Sequence, residues 1–268
     1  MKKYRANESH TSLLVNGRVQ PRLCKIVLIT GAGRREGLGF VSAKEFGKLG
    51  YHVIITARKL EQVKPLASEL CEMGYEAEGL RLDLLDEQSI NAAADYINKE
   101  YGRLDVLVNN AAMLWNGSRG TIQEISNDEL RKEVETNFIG TWIVTKAMHP
   151  LLKASGHGRV VNVSSGAGSF ADPEYGLFHA AGSQWPVTLY GITKLAINGF
   201  TIKAAKDFKK DNILVNAICP GVMATYTASG FSGRNPEISA KEGVVWAATL
   251  PADGPTGGFF RDGKPLVW

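Results

Sequence analysis

The sequence is poor in the features that mark a specialised environment. It holds 3 cysteines, Cys24, Cys71 and Cys219, which are scattered and odd in number. No spacing among them fits a disulfide framework or a zinc site, which points to a reducing compartment, and the cytoplasm is the expected location. The 5 histidines are dispersed without ligand-like pairing, so no metal is expected. A net charge of +4 over 268 residues is too small to imply nucleic acid as a partner. No apolar run is long enough for a membrane span or a secretion signal. Linkers, repeats and low-complexity tracts are missing too. What remains is an ordinary globular composition, 44% hydrophobic and 22% charged, on a chain long enough for a substantial core. The polar, irregular residues 1–24 read as a flexible N-terminal arm.

From residue 25 onward, strand-like and helix-like segments alternate. Short apolar runs such as "KIVLIT", "HVIITA", "LDVLVNN", "RVVNVSS" and "ILVNAIC" are separated by helical patterns such as "FVSAKEFGKLG" and "TLYGITKLAINGFTIKAAKDFKK". Pro65 is expected to kink the second helix or shift its start. A long helical pattern covers about 127–153. Continuous apolar strands between helices predict a parallel sheet with both faces covered. The expected fold is α/β: a single doubly wound Rossmann-type domain over 25–268, with a mostly parallel sheet of about seven strands and helices on both faces. Ligands in such a fold bind beyond the carboxyl ends of the strands. Substrate loops are therefore expected at 112–121, 166–189 and 221–239.

"ITGAGRREGLGF" follows the first strand and opens the first helix. Its glycines, Gly31, Gly33, Gly37 and Gly39, would let the backbone turn tightly and bring helix N–H groups to a pyrophosphate. The strict G-x-G-x-x-G spacing is missed, so the loop is informative mainly through its place after strand one. The second strand ends with Ala57 and Arg58 and carries no acid for a ribose hydroxyl. With Arg34 and Arg35 in the glycine loop, three cations surround one expected phosphate position, which favours NADP over NAD.

Tyr190 and Lys194 in "YGITK" lie one turn apart on one helix face. Alone, such a pair is a common surface feature. Its context changes that reading. "TGAGRREGLG", "LDLLD", "NNAA", "TNFIGT", "VVNVSS", "YGITK" and "CPGVMAT" occur in one order. In this the chain resembles the classical short-chain dehydrogenase/reductase family over residues 25–268, and its ending "GPTGGFFRDGKPLVW" is similar to the carbonyl-reductase-like members.

The resemblance implies roles. Tyr190 would be the general acid that protonates the carbonyl oxygen. Lys194 would lower the phenol pKa and bind the nicotinamide ribose. Ser165 would hydrogen-bond the substrate oxygen, and Asn137 would hold a water linking Lys194 to solvent. The cofactor site would comprise Gly31, Arg34, Arg35, Gly37, Leu38, Gly39 and Arg58, with Asp83 and Leu84 at the adenine. Asn109 and Ala111 would lie beside the adenine ribose, and Pro220, Gly221, Val222 and Thr225 at the nicotinamide carboxamide. A cation one turn from a phenol supports the Tyr–Lys assignment, because it favours the phenolate.

Three departures stand out. The glycine loop has two extra residues before Gly37. Ala112 replaces the final glycine of the fourth-strand motif. The 166–189 segment is about twice the common family length and resembles, in miniature, the insertion that carbonyl reductases carry over the helix face others use to dimerise. Monomer and homo-oligomer therefore both stay open. Trp115, Phe178, Trp185 and Tyr226 are candidates for the substrate pocket, which would suit an apolar or aromatic ketone or aldehyde. The expected activity is NADPH-dependent reduction of a carbonyl, reversible as alcohol oxidation. An enoyl reductase, an epimerase, or a silent NADP-binding sensor on the same fold are the alternatives.

Overall fold

A computed structural model describes residues 24–113, 121–178, 187–224 and 233–268, preceded by two short strands, Leu14–Val15 and Arg18–Val19, paired antiparallel. Trp115, Trp185, Thr225 and Tyr226 lie outside the described residues. The main elements are β1 (Ile26–Ile29), α1 (Leu38–Lys48), β2 (His52–Ala57), α2 (Leu60–Glu72), β3 (Ala77–Arg81), α3 (Glu87–Tyr101) and β4 (Val106–Asn109). Then come α4 (Asn127–Val134), α5 (Thr141–Ala154), β5 (Arg159–Val163), α6 (Thr188–Phe208), β6 (Leu214–Ile218), α7 (Pro236–Ser239), β7 (Phe259–Arg261) and β8 (Lys264–Pro265). No helix among the described residues is long and apolar enough to cross a membrane.

The sheet has 8 strands in the order β8-β7-β6-β5-β4-β1-β2-β3, parallel except for the β7–β8 hairpin. The sequence reading gave about seven; the extra strand is the two-residue return at the C-terminus, too short to leave a pattern. Each apolar run serves two cores, because successive side chains point to opposite faces. Val27 and Ile29 pack with α1, α2 and the helical segment after α7, whereas Ile26 and Leu28 pack with α3, α5 and α6.

Two helices differ from expectation. Helix α2 continues through Pro65, which is exposed, so the missing N–H lies on the solvent side. The long helix read at 127–153 is interrupted by a wide π-type turn at Glu135–Gly140, between α4 and α5. Such turns insert a residue into a helix and re-aim the side chains they carry. This one carries Asn137.

Candidate active site

The chain enters the sheet at β1 and later returns to its other side at β4. The crevice between their carboxyl ends is the switch point where ligands of this architecture bind. Gly31, just past β1, has a φ of 68°, and a Cβ built on it would lie 2.6 Å from the Cα of Ala111. Only glycine meets both demands. The Asn110 amide closes the contact by donating to the carbonyls of Thr30 (2.8 Å) and Gly31 (3.1 Å). Thr30 Oγ1 accepts from the backbone N–H groups of Asn110 and Ala111, both at 3.0 Å. Neither Thr30 nor Asn110 was singled out from sequence, although Asn110 stands inside the "NNAA" motif.

The first turn of α1 has a bare glycine N-cap, Gly37, with no side-chain cap and no acid. By contrast α3 is capped by Asp86, and α4 by a capping box of Ser126 and Glu129. The free N–H groups at Leu38 and Gly39 therefore suit an anion. The extra residues of the loop form a turn in which the Gly37 N–H donates to the Arg34 carbonyl at 3.1 Å. The Arg34 side chain lies beside Gly37. Arg35 departs from its expected place: its guanidinium reaches α2, 2.6 Å from Glu69 Oε2. Arg58 stays exposed at the tip of β2.

Asp83 turns its carboxylate to the Leu85 N–H at 3.1 Å, fixing the bend after β3, and Leu84 is buried against Gly140. Asn109 can meet a ribose only through its backbone. Its side chain is buried and donates to Thr145 Oγ1 (2.9 Å) and Asn162 Oδ1 (2.8 Å), under α5. The alternation along β4 sends this amide to the interior, where it must be paired.

The catalytic candidates come from three segments: the π-type turn, the turn after β5, and α6. Asn137 is held on every side: its Oδ1 accepts from the Met113 N–H (2.7 Å), and its Nδ2 donates to the Met113 carbonyl (2.8 Å) and Thr193 Oγ1 (3.1 Å). Lys194 is buried, donates to the Val163 carbonyl at 2.7 Å, and lies 5.4 Å from the centre of the Tyr190 ring. Ser165 follows β5 and its Oγ accepts from the Ala167 N–H at 3.2 Å.

Glycines bring this turn against α6. A Cβ on Gly168 would sit 2.5 Å from the Lys194 carbonyl carbon, and one on Gly191 would sit 2.8 Å from the Ala167 oxygen. Asn198, a turn beyond Lys194, locks the approach. It accepts from Ser164 Oγ at 2.6 Å and donates to the Gly168 carbonyl at 2.9 Å. The sequence gives no local signal for Asn198, since nothing near it in the chain is its partner. Ser164 thus spends its hydroxyl on structure, while Ser165 beside it is half-buried.

Burial pushes the Tyr190 phenol well above the ordinary tyrosine range, and the charges at Cys219 and Glu133 add to this. Burial also lowers the Lys194 ammonium to about 8, against the opposing pull of Glu133. Loss of water around the phenolate is the largest cause of the rise at Tyr190.

After β6, Gly221 takes a φ of 71° with the Arg234 side chain packed on it. Arg234 pairs with Asp262 at 2.8–2.9 Å, and the Pro220 carbonyl accepts from Ser239 at 2.6 Å. These contacts fix Pro220, Gly221 and Val222 at the crevice edge. Phe178 closes a small folded segment. Asp172 accepts from the Glu174 and Tyr175 N–H groups and from Arg261, folding residues 169–178 back on themselves. Phe178 is left 80% exposed, stacked on Phe170.

A family model described as short chain dehydrogenase matches residues 25–234. A carbonyl reductase [NADPH] 1 of Sus scrofa is 32% identical, with 91% of this chain and 94% of that one covered. The oxidoreductase UcpA of Escherichia coli (strain K12) is 35% identical over 85% of this chain and 80% of its own. A metagenomic short-chain oxidoreductase solved in complex with NADP superposes with a TM-score of 0.72 at 27% identity, covering 90% of this chain and 98% of that one. An actinorhodin polyketide ketoreductase variant solved with NADPH gives 0.73 at 29% identity, covering 89% and 95%. With the family model over residues 25–234 and relatives above 30% identity across most of its length, the chain belongs to the short-chain dehydrogenase family.

Proposed function

We propose that the protein is an NADPH-dependent reductase of ketones or aldehydes, reversible as an alcohol dehydrogenase. The observation that carries this reading is the pair of half-buried Tyr190 and buried Lys194 on a helix brought against the Ser165 turn by Gly168 and Gly191. The cofactor fits: an uncapped helix N-terminus meets a glycine turn that has no room for a Cβ. The nicotinamide cofactor supplies the hydride when bound. Gly31, Gly37, Leu38 and Gly39 would hold its pyrophosphate, and Asp83, Leu84, Ala111 and the Asn109 backbone its adenosine half. Pro220, Gly221 and Val222 would hold the carboxamide.

Arg58 and Arg34 would meet a 2′-phosphate, with Ala57 leaving no carboxylate to repel it. Arg35 anchors the loop to α2 instead. The NADPH named for the Sus scrofa relative and the cofactors named for both solved neighbours support this choice.

In reduction, Ser165 would donate a hydrogen bond to the carbonyl oxygen, stabilising the charge that develops there. Tyr190 would deliver its proton to that oxygen, and its high pKa keeps the proton available across the neutral range. Lys194 would hold the nicotinamide ribose and the phenol in register. Asn137 fixes the wide turn against Met113 and Thr193, beside the pair it serves. The test is oxidation of NADPH against ketones, aldehydes, enones and quinones. Turnover of ketones or aldehydes supports the reading, and activity confined to enones overturns it.

A further inference from the structure

The hairpin of β7 and β8 bends at Asp262, whose φ of 53° is a left-handed backbone that aspartate and asparagine tolerate better than other side chains. Two adjacent residues at this bend carry opposite charges and reach different loops. Arg261 Nη2 donates to Asp172 Oδ2 at 2.9 Å, in the loop after β5, and to Cys219 Sγ at 3.3 Å, just past β6. Asp262 takes the Arg234 guanidinium in a two-pronged pair at 2.8 and 2.9 Å, in the loop after β6.

Both partners stand where the loops turn. Asp172 is fully buried, and its other oxygen accepts from the Glu174 and Tyr175 N–H groups. Gly166, directly after Ser165, is wedged against this contact: a Cβ on it would lie 2.9 Å from both Arg261 Nη2 and Asp172 Oδ2. Its N–H donates to Cys219 Sγ at 3.2 Å. On the other side, the Arg234 N–H donates to the Val222 carbonyl at 2.9 Å, and the Arg234 carbonyl accepts from the Ala224 N–H at 3.0 Å. Beyond the hairpin, the Val267 carbonyl accepts from Ser169 Oγ at 2.9 Å, a further tie to the loop after β5.

Stability alone does not ask for this arrangement. A buried guanidinium–carboxylate pair adds little beyond what apolar side chains of the same size would, and Arg261 Nε is buried without a partner. What such a pair fixes is geometry. We propose that Arg261 and Asp262 are positioning residues that hold the two substrate loops at a set separation, so that the C-terminal hairpin determines which carbonyl compounds fit between Ser165 and Val222. The proposal rests on the carbonyl-reductase reading. Because neighbouring residues hold both loops, breaking either pair releases the hairpin and loosens the other.

The test uses Asp172→Asn and Asp262→Asn, singly and together. Each keeps the shape and removes the charge from one pair, and asparagine suits the backbone at 262. Kinetics with NADPH are compared for the smallest aliphatic aldehyde and the bulkiest aromatic ketone that the wild type reduces, with NADPH affinity followed by cofactor fluorescence. Each single variant should raise KM for the ketone more than it lowers kcat, and lower kcat/KM for it by about ten- to a hundredfold. The ratio between the two substrates should change while NADPH affinity stays nearly constant. The double variant should lose no more than the worse single one, whereas independent loops would lose the product of the two. If Asp172→Asn fails to fold, Arg261→Met takes its place under the same criteria. A substrate ratio that stays at the wild-type value in both single variants, or a double variant that loses the full product, overturns the proposal. A wild type that reduces no ketone or aldehyde removes the carbonyl-reductase reading and this proposal with it; an active wild type with an unmoved ratio in the variants removes only the role of the hairpin.

Discussion

The two halves of the sheet's carboxyl edge are built differently. Beside β1 and β2 the site is made of backbone and space: Gly31 against Ala111, a bare N-cap at Gly37, and exposed Arg58. Beside β5 and β6 it is made of buried side chains tied to one another, as in the chains Ser164–Asn198–Gly168 and Met113–Asn137–Thr193. A pyrophosphate needs room and N–H groups, which glycines provide. A proton donor needs a fixed ring and a chosen pKa, which require pairing and burial. The first half tolerates an insertion of two residues in its loop; in the second, a methyl at Gly168 would strike the backbone of α6.

The sharpest test of this contrast is Tyr190→Phe. It should lower kcat by about 10²- to 10⁴-fold, the usual worth of a positioned acid. NADPH affinity, followed by cofactor fluorescence, should stay nearly unchanged. A variant keeping more than about a tenth of wild-type kcat would place the acid elsewhere.

Cofactor choice probes the other half. One hydrogen bond to a charged group contributes about 1.5–3 kcal/mol, and 1.4 kcal/mol is about tenfold. Ala57→Asp with Arg58→Ala should therefore shift the kcat/KM ratio of NADPH to NADH by about ten- to a hundredfold towards NADH. Wild type using both cofactors equally would refute the assignment, and an unmoved ratio in the double variant would put the phosphate on Arg34.

A pair of glycine substitutions tests whether the halves separate. Gly31→Ala and Gly168→Ala each force overpacking, which costs about 1–3 kcal/mol. The first should weaken cofactor binding and the second should lower kcat, each by about five- to a hundredfold. Equal effects of both on both quantities would show one coupled site. The smallest effect belongs to Glu69→Gln, which releases Arg35. Arg35 is largely exposed although Glu69 is not, so the melting temperature should fall only slightly, for a loss of about 1 kcal/mol. Cofactor preference should hold; a rise in NADPH preference would mean that Arg35, once freed, reaches the phosphate.

The sequence by itself determined the strands, their parallel order and the pair at Tyr190 and Lys194. Each is written within one segment: apolar runs, a glycine cluster after a strand, an i,i+4 spacing. Tertiary structure decided the rest. It turned the Asn109 amide inward, sent Arg35 to Glu69, exposed Phe178, buried Glu133 and recruited Asn110 and Asn198. The physical reason is that spacing fixes which face of an element a residue occupies. What that face meets, and how much water is left there, depends on elements far away in the chain.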